Sequence, residues 1–357
     1  MLELFDEPIA AHTTMRVGGP AQRMVLVETP DELVDAVRAV DDADEPLLVL
    51  SGGSNLVVAD EGFAGTVVKV ATRGVTVESE DSCGGANVTV AAGEGWDDLV
   101  ALAVENEWSG IEALSGIPGS TGATPVQNVG AYGQEVSQTI ARVRVWDRHE
   151  KRVRTMTSAE CAFTYRHSLF KSTDRHVVID VTFQLVPGSM SRPVAYADLA
   201  AQLGVEVGGR VPLADAREAV LEQRRRRGMV LDAADHDTWS CGSFFTNPVL
   251  THDGFDALER RVAEHLGADA AAPPRFPGVD GQVKTSAAWL IERAGFGKGF
   301  GAPGPATLST KHTLAVTNRG AATASDVVGL ARTVRDGVWD AFGVTLVNEP
   351  VLLGLTL

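Results

Sequence analysis

Apolar residues change their period several times along the chain, and each change marks an element. Leu33, Val37 and Val40 recur at helical spacing between Asp31 and Val40 and share one face. Gly65 to Val70 reads as a strand, as does Asn87 to Ala92. Trp96 to Glu107 returns to helical spacing, with Trp96, Leu99, Leu102 and Ala103 turned inward. From Ala141 to Val186 the pattern is strand-like: RVRVW and KRVRTMT predict a hairpin across Asp147 to Glu150, and HVVIDVTFQLV a later strand ended by Pro187-Gly188-Ser189. Beyond it helices dominate: Leu213 to Arg227, Phe255 to Leu266, Thr285 to Ala294 closing at Gly295, and Ser325 to Phe342 closing at Gly343. The last repeats Val327, Leu330, Ala331, Val334, Val338 and Phe342 along one amphipathic face. Strand-like KHTLAVT and VTLVNEPVLLG flank it, so the C-terminal third is expected to be α+β with a small sheet, after a boundary near residues 188 to 215.

Two glycine-rich stretches interrupt these periods. Ser115 to Gly133, SGIPGSTGATPVQNVGAYG, holds five glycines and two prolines in nineteen residues and no charged side chain, so it reads as an ordered loop whose backbone approaches a partner closely. Ser51-Gly52-Gly53-Ser54-Asn55-Leu56 follows the apolar run Pro46 to Leu50 and sits at the end of an expected strand. Such loops suit phosphate oxygens, because successive amides converge on an anion. Neither matches a P-loop or a G-x-G-x-x-G turn, and a purely structural turn is the other reading of each.

Composition narrows the function classes. A chain of 357 residues is long enough for two or three domains, and a net charge of −16 opposes nonspecific binding to nucleic acid or anionic membrane. The opening MLELFDEPIA lacks the cationic start and apolar core of a signal peptide, and no run approaches a membrane span, so a cytoplasmic protein is expected. Cys83, Cys161 and Cys241 fit neither a disulfide framework nor a zinc site, and the eight histidines show no metal-ligand spacing. Cys241 is either buried filler or a nucleophile.

Four clusters carry candidate chemistry. Arg224 to Arg227 is either a solvated helix terminus or a phosphate clamp. Tyr165-Arg166-His167-Ser168-Leu169-Phe170-Lys171 is either a surface turn or a carboxylate site built on a guanidinium fork. In Gly242-Ser243-Phe244-Phe245-Thr246-Asn247-Pro248 the adjacent phenylalanines of a strand would face opposite sides, and Ser243 is either a turn serine or a proton donor supported by nearby cations or donors. Glu349, the lone charge in Val344 to Leu357, is either exposed at a strand edge or partly buried for a purpose.

Taken in order, TTMRVGGPA, SGGSNLV, IPGSTGATPVQNVGAYG, YRHSLF, GSFFTNP, KTSAAWLIERAG and NEPVLLG resemble the UDP-N-acetylenolpyruvoylglucosamine reductase family from about Thr13 to Gly354. The resemblance implies an α+β fold of three lobes. Residues 1–75 and 76–212 would form an FAD-binding domain of the p-cresol methylhydroxylase type, and residues 213–357 a substrate-binding domain. It implies noncovalent FAD, with NADPH as reductant and UDP-N-acetylglucosamine enolpyruvate as substrate, and no nucleic-acid, membrane or obligate protein partner.

By the same likeness Gly52, Gly53, Ser54, Asn55 and Leu56, then Ser115, Gly116, Pro118, Gly119, Ser120, Thr121, Gly122 and Ala123, would hold the cofactor, chiefly by backbone amides around its diphosphate. Asn128, Gly130, Ala131 and Tyr165 complete that set. Arg166 and Glu349 match positions that polarise the enolpyruvyl carboxylate, and Ser243 the position that protonates the adjacent carbon. These three remote groups make chemical sense only if they converge. Tyr132, Tyr196, Arg227, Asn247, Lys284 and His312 match substrate contacts, Tyr196 as a mobile lid over the diphosphate. His12 stands where asparagine is common, Arg227 where lysine is usual, and Asn348 where proline is frequent. A flavin oxidase of the same fold, acting on an alcohol or sugar, is the alternative.

Overall fold

Thr29 opens the first α-helix of the chain, its hydroxyl accepting the Glu32 N–H at 3.2 Å with Pro30 in the first turn. The resulting α1 (Pro30–Asp42) buries Leu33, Ala36, Val37 and Val40, the face its periodicity marks. The structure, a computed structural model, describes residues 1–81 and 83–357. It divides into two compact units: Met1–Glu7 with Ala21–Gly53 and Phe63–Arg226, and Pro8–Pro20 with Ser54–Gly62 and Arg227–Leu357.

In the first unit α1 packs on a sheet ordered Leu2–Pro8, Pro20–Val27, Phe63–Val70, Leu47–Leu50. Its last three strands are parallel, Met24 opposite Val67 and Val49 opposite Val68, and α1 supplies the crossover between Pro20–Val27 and Leu47–Leu50, which flank Phe63–Val70. The other sheet of this unit is antiparallel, ordered Arg152–Thr157, Ile140–Asp147, His176–Pro187, Gly85–Ala91, Val75–Asp81. The expected hairpin is its outer pair, Trp146 facing Val153. Val88, Val90, Val143, Val145, Val181 and Phe183 alternate into a core closed by α2 (Trp96–Glu105), whose Trp96 ring lies 5.8 Å from that of Phe183. Val100 is fully buried on α2, whereas Leu102, expected inward, is half-buried. The shorter α3 (Ala197–Leu203) and α4 (Leu213–Arg226) pack on each other.

The second unit is built on α5 (His252–Leu266), α6 (Ala287–Arg293) and α7 (Ala324–Phe342) with short strands. A Thr323/Asp326 capping box starts α7, and Gly343, at φ 66°, ends it in the left-handed region that glycine tolerates. Two early segments of the chain belong to this unit. Asn318 Nδ2 donates to the carbonyls of Met15 and Arg16 at 3.1 Å, Asp60 accepts the Ala324 and Ser325 N–H groups, and Leu56–Val58 pairs in parallel with Val351–Leu353.

The structure corrects three strand expectations. Of KHTLAVT, the strand is confined to Val316–Asn318, because Ser309 Oγ accepts the N–H groups of Lys311 and His312 at 3.0 and 3.3 Å and turns the chain. Of VTLVNEPVLLG, Val351–Leu353 is strand. Phe244 and Phe245 lie outside any ladder longer than one bridge, so their rings do not face opposite sides; both are buried in one core, 5.2 Å apart and edge to face.

Candidate active site

Ser51-Gly52-Gly53 of the first glycine loop meets the second loop in the first unit. A Cβ on Gly52 would lie 2.4 Å from Gly119 Cα, and one on Gly122 would lie 2.4 Å from Ala92 Cβ, so both positions require glycine for packing alone. The second loop is tied to its surroundings by its own amides: Thr121 N–H donates to Glu94 O, Gly122 N–H to Ala92 O, Ala123 N–H to Ser120 O and Gly116 N–H to Asp97 Oδ1. Ser115 is buried and donates its hydroxyl to Glu112 O. The amide cradle expected of this loop is therefore narrower than its glycine count suggests. What the loops do offer is hydroxyl chemistry: Ser51 Oγ and Thr121 Oγ1 are buried without a hydrogen-bond partner among the described residues. Buried hydroxyls in that condition call for a ligand or water.

Lys69, in the strand Phe63–Val70, was not marked by any motif. Its ammonium donates to Ser51 O and fixes the first loop from behind, while burial, helped by nearby Arg73, pulls its pKa down. The signal in the sequence was one lysine in the apolar run TVVKV.

Arg166 occupies a tight turn in the same unit. Thr164 and His167 exchange both backbone hydrogen bonds, at 2.9 and 3.2 Å, and Arg166 has φ 54°, where glycine or asparagine is usual. Its Nη2 donates to Gly130 O at 2.8 Å, its guanidinium lies 5.4 Å from the Tyr165 ring centre, and Lys171 Nζ donates to its carbonyl at 3.0 Å. Asn128 braces the turn: Nδ2 donates to Thr164 O and Glu135 Oε2, and Oδ1 accepts Ser137 N–H. With its side chain so used at 1% exposure and its N–H donating to Pro125 O at 3.3 Å, Asn128 has chiefly its carbonyl left for a cofactor contact. Gly130 and Ala131 form a two-residue strand beside Gln134–Glu135, and Tyr132 follows at φ 49°. The Tyr132 ring meets exposed Tyr196, which precedes α3, edge to face at 5.9 Å.

The segments that carry Ser243 and Glu349 pair in the second unit. Phe244 N–H donates to Leu314 O at 2.7 Å, Glu349 N–H to Phe244 O at 2.9 Å, and Thr246 N–H to Val347 O at 3.0 Å, so GSFFTNP lies against NEP. Asn55 Nδ2 donates to Glu349 O at 3.3 Å and its carbonyl accepts Val351 N–H, adding Ser54-Asn55-Leu56 to the same cluster. Both Ser243 and Glu349 are half-buried, which settles the two readings of the carboxylate in favour of partial burial.

Asn247 Oδ1 accepts Ala287 N–H at 3.0 Å at the start of α6, and half-buried Lys284 sits in a two-residue strand beside Val249–Leu250. The basic run divides. Arg225 and Arg226 pair with Glu218 and Glu222 on their own helix surface, so the run as a whole forms no clamp, whereas Arg227 is half-buried. Burial, reinforced by Arg227 and Lys298, lowers the His312 pKa to about 4 and keeps that ring neutral at neutral pH. Asp237, which sequence reading passed over, holds the neighbouring segment by accepting Thr310 N–H at 2.8 Å, the Thr310 hydroxyl and Arg319 Nη1. Burial pushes the Cys161 and Cys241 thiols up to about 12, which leaves Cys241 as filler. Among the described residues no group of three His, Cys, Asp or Glu could hold a metal, and no helix is long and apolar enough to cross a membrane.

Residues 21–156, which include both glycine loops, match the FAD binding domain family, and this defines the class: a flavin-domain protein with an appended α+β segment. That segment, residues 234–353, matches the C-terminal domain of UDP-N-acetylenolpyruvoylglucosamine reductase. Proteins of that name from Thermobifida fusca and Streptomyces avermitilis are 58% and 57% identical, covering 98% and 99% of this chain and 98% and 96% of their own. The crystal structure of UDP-N-acetylenolpyruvylglucosamine reductase from Thermus caldophilus is similar at a TM-score of 0.64 and 25% identity, over 99% of this chain and 98% of its own. The chain belongs to the UDP-N-acetylenolpyruvoylglucosamine reductase family.

Proposed function

We propose that this protein is an NADPH-dependent flavoenzyme that reduces UDP-N-acetylglucosamine enolpyruvate to UDP-N-acetylmuramate, a precursor of cell-wall peptidoglycan, with Arg166, Ser243 and Glu349 as its catalytic residues. The observation that supports the assignment is the backbone pairing of Phe244 with Glu349, which brings the segment carrying Ser243 against the segment carrying Glu349 in a family whose members are reductases of this kind. FAD fits the chain: the unpartnered buried hydroxyls of Ser51 and Thr121 supply donors for a diphosphate on loops inside the matched FAD-binding region. We infer a p-cresol methylhydroxylase-type arrangement, residues 1–75 and 76–212 as its two lobes and 213–357 as the substrate domain.

When bound, FAD would supply hydride chemistry, with NADPH as its reductant, for the methylene carbon of the enolpyruvyl ether. The Arg166 guanidinium holds the substrate carboxylate and offsets the negative charge that grows on that side as the hydride arrives. Glu349 steadies the resulting enol through a proton or a bound water. The Ser243 hydroxyl then gives its proton to the carbon bearing the ether oxygen, completing addition of one hydride and one proton across the double bond. Asn247, Lys284, Arg227, His312 and Tyr132 hold the UDP-sugar, and Tyr196 covers its diphosphate.

The test is anaerobic. The yellow protein should bleach with NADPH and regain its colour on addition of the enolpyruvyl substrate without oxygen, and Ser243→Ala should leave bleaching intact while slowing recovery by about a hundredfold or more. Recovery that needs air would point to an oxidase instead. Equal slowing of both steps would remove Ser243 from the proton transfer.

A further inference from the structure

The turn that presents Arg166 is held in a conformation that its own sequence does not favour. A β-turn with a left-handed third residue takes glycine or asparagine there, and arginine at φ 54° persists only when its surroundings over-determine it. Three such constraints are visible. Asn128 Nδ2 pins the turn's first carbonyl, that of Thr164, at 3.1 Å. Gly130 O receives the guanidinium, and a Cβ on Gly130 would meet Glu135 Cγ at 2.8 Å, Gln134 O at 2.9 Å and Arg166 Nη1 at 3.1 Å, so a side chain there would crowd the guanidinium together with the adjoining strand. Lys171 Nζ, five residues on, donates to the Arg166 carbonyl at 3.0 Å. That last contact acts on the strained residue itself: the carbonyl cannot rotate toward the common right-handed region without breaking a charge-assisted bond.

We propose that Lys171 is a positioning residue for Arg166, its ammonium locking the backbone that aims the guanidinium at the substrate carboxylate. The inference rests on the assignment of Arg166 given above. It implies that Lys171 matters to reduction of the enolpyruvyl group and not to reduction of the flavin, because NADPH has no carboxylate for Arg166 to hold.

The experiment follows the two half-reactions of the FAD-loaded enzyme separately, by anaerobic stopped flow, in wild type, Lys171→Met, Lys171→Arg, Arg166→Met and the double variant Arg166→Met/Lys171→Met. Lys171→Met should slow reoxidation by the enolpyruvyl substrate about tenfold or more and leave bleaching by NADPH within about twofold, since small misplacements of an aligned group are costly. Lys171→Arg, which keeps a cationic donor, should recover most of the loss. The double variant should be no slower than Arg166→Met alone, the non-additivity expected of a residue that acts through another. Wild-type reoxidation in Lys171→Met, equal slowing of both half-reactions, or additive losses in the double variant would each overturn the proposal. Unimpaired reoxidation in Arg166→Met would instead overturn the underlying assignment of Arg166.

Discussion

His312 gives the most quantitative prediction. Burial lowers its pKa to about 4 from an ordinary 6.5, with Arg227 and Lys298 acting in the same direction. Because the folded ring resists protonation more than the unfolded one, the unfolded chain binds more protons between those values, and stability rises with pH across that window. The contribution is therefore intact above about pH 6.5 and is lost progressively as pH falls toward 4. Lowering the pH from 7 to 5 should remove about 2 kcal/mol through this residue alone, from about 1.4 kcal/mol per pKa unit. His312→Gln cannot titrate, so the loss between pH 7 and pH 5 in urea unfolding should be smaller in the variant by about that amount. Histidine ring NMR gives the direct reading, with His312 titrating well below the ordinary imidazole value and Arg227→Gln moving its midpoint upward. Parallel stability profiles for wild type and His312→Gln, or a ring midpoint near the ordinary value, would refute the argument.

Two further substitutions probe the scaffold. Gly52→Ala places a methyl group 2.4 Å from Gly119 Cα, backbone against backbone, and should destabilise the protein by about 1–3 kcal/mol while releasing flavin into the filtrate; full retention of flavin would show that the loops part without consequence. Glu112, 2% exposed, accepts the N–H groups of Gly110 and Arg192, each at 2.6 Å. Glu112→Ala leaves the buried Gly110 N–H and the part-buried Arg192 N–H without their acceptor and should lower stability by about 2 kcal/mol, read as a drop in Tm, with Glu112→Gln milder because it keeps one acceptor oxygen; an unchanged Tm in the alanine variant would show that water replaces the carboxylate.

Periodicity made the long elements readable. The inner face of α7 was visible from Val327 to Phe342, and the hairpin of Ile140–Asp147 with Arg152–Thr157 followed from alternation about a charged turn. Short strands were not readable in this way. Val351–Leu353 pairs with Leu56–Val58, and three residues carry too few alternations to set a boundary. Arg224 to Arg227 looked like one patch, yet two members face their own helix carboxylates and Arg227 belongs to the second unit.

By itself the sequence determined the residue types of the site and their family: an uncharged glycine loop, an arginine after Tyr165, a serine before two phenylalanines, a lone glutamate near the end. Local chemistry is enough for that, since glycine content and isolated charges are properties of neighbouring residues. Tertiary structure alone decided which of them meet. It set Glu349 against Phe244 and Asn55, turned the amides of Thr121 and Gly122 toward protein carbonyls, and put Lys69 behind Ser51 and Lys171 behind Arg166. All but the Lys171 contact join residues well separated in the chain, and only the burial of a shared core selects those from the many pairings that the same residue types would allow.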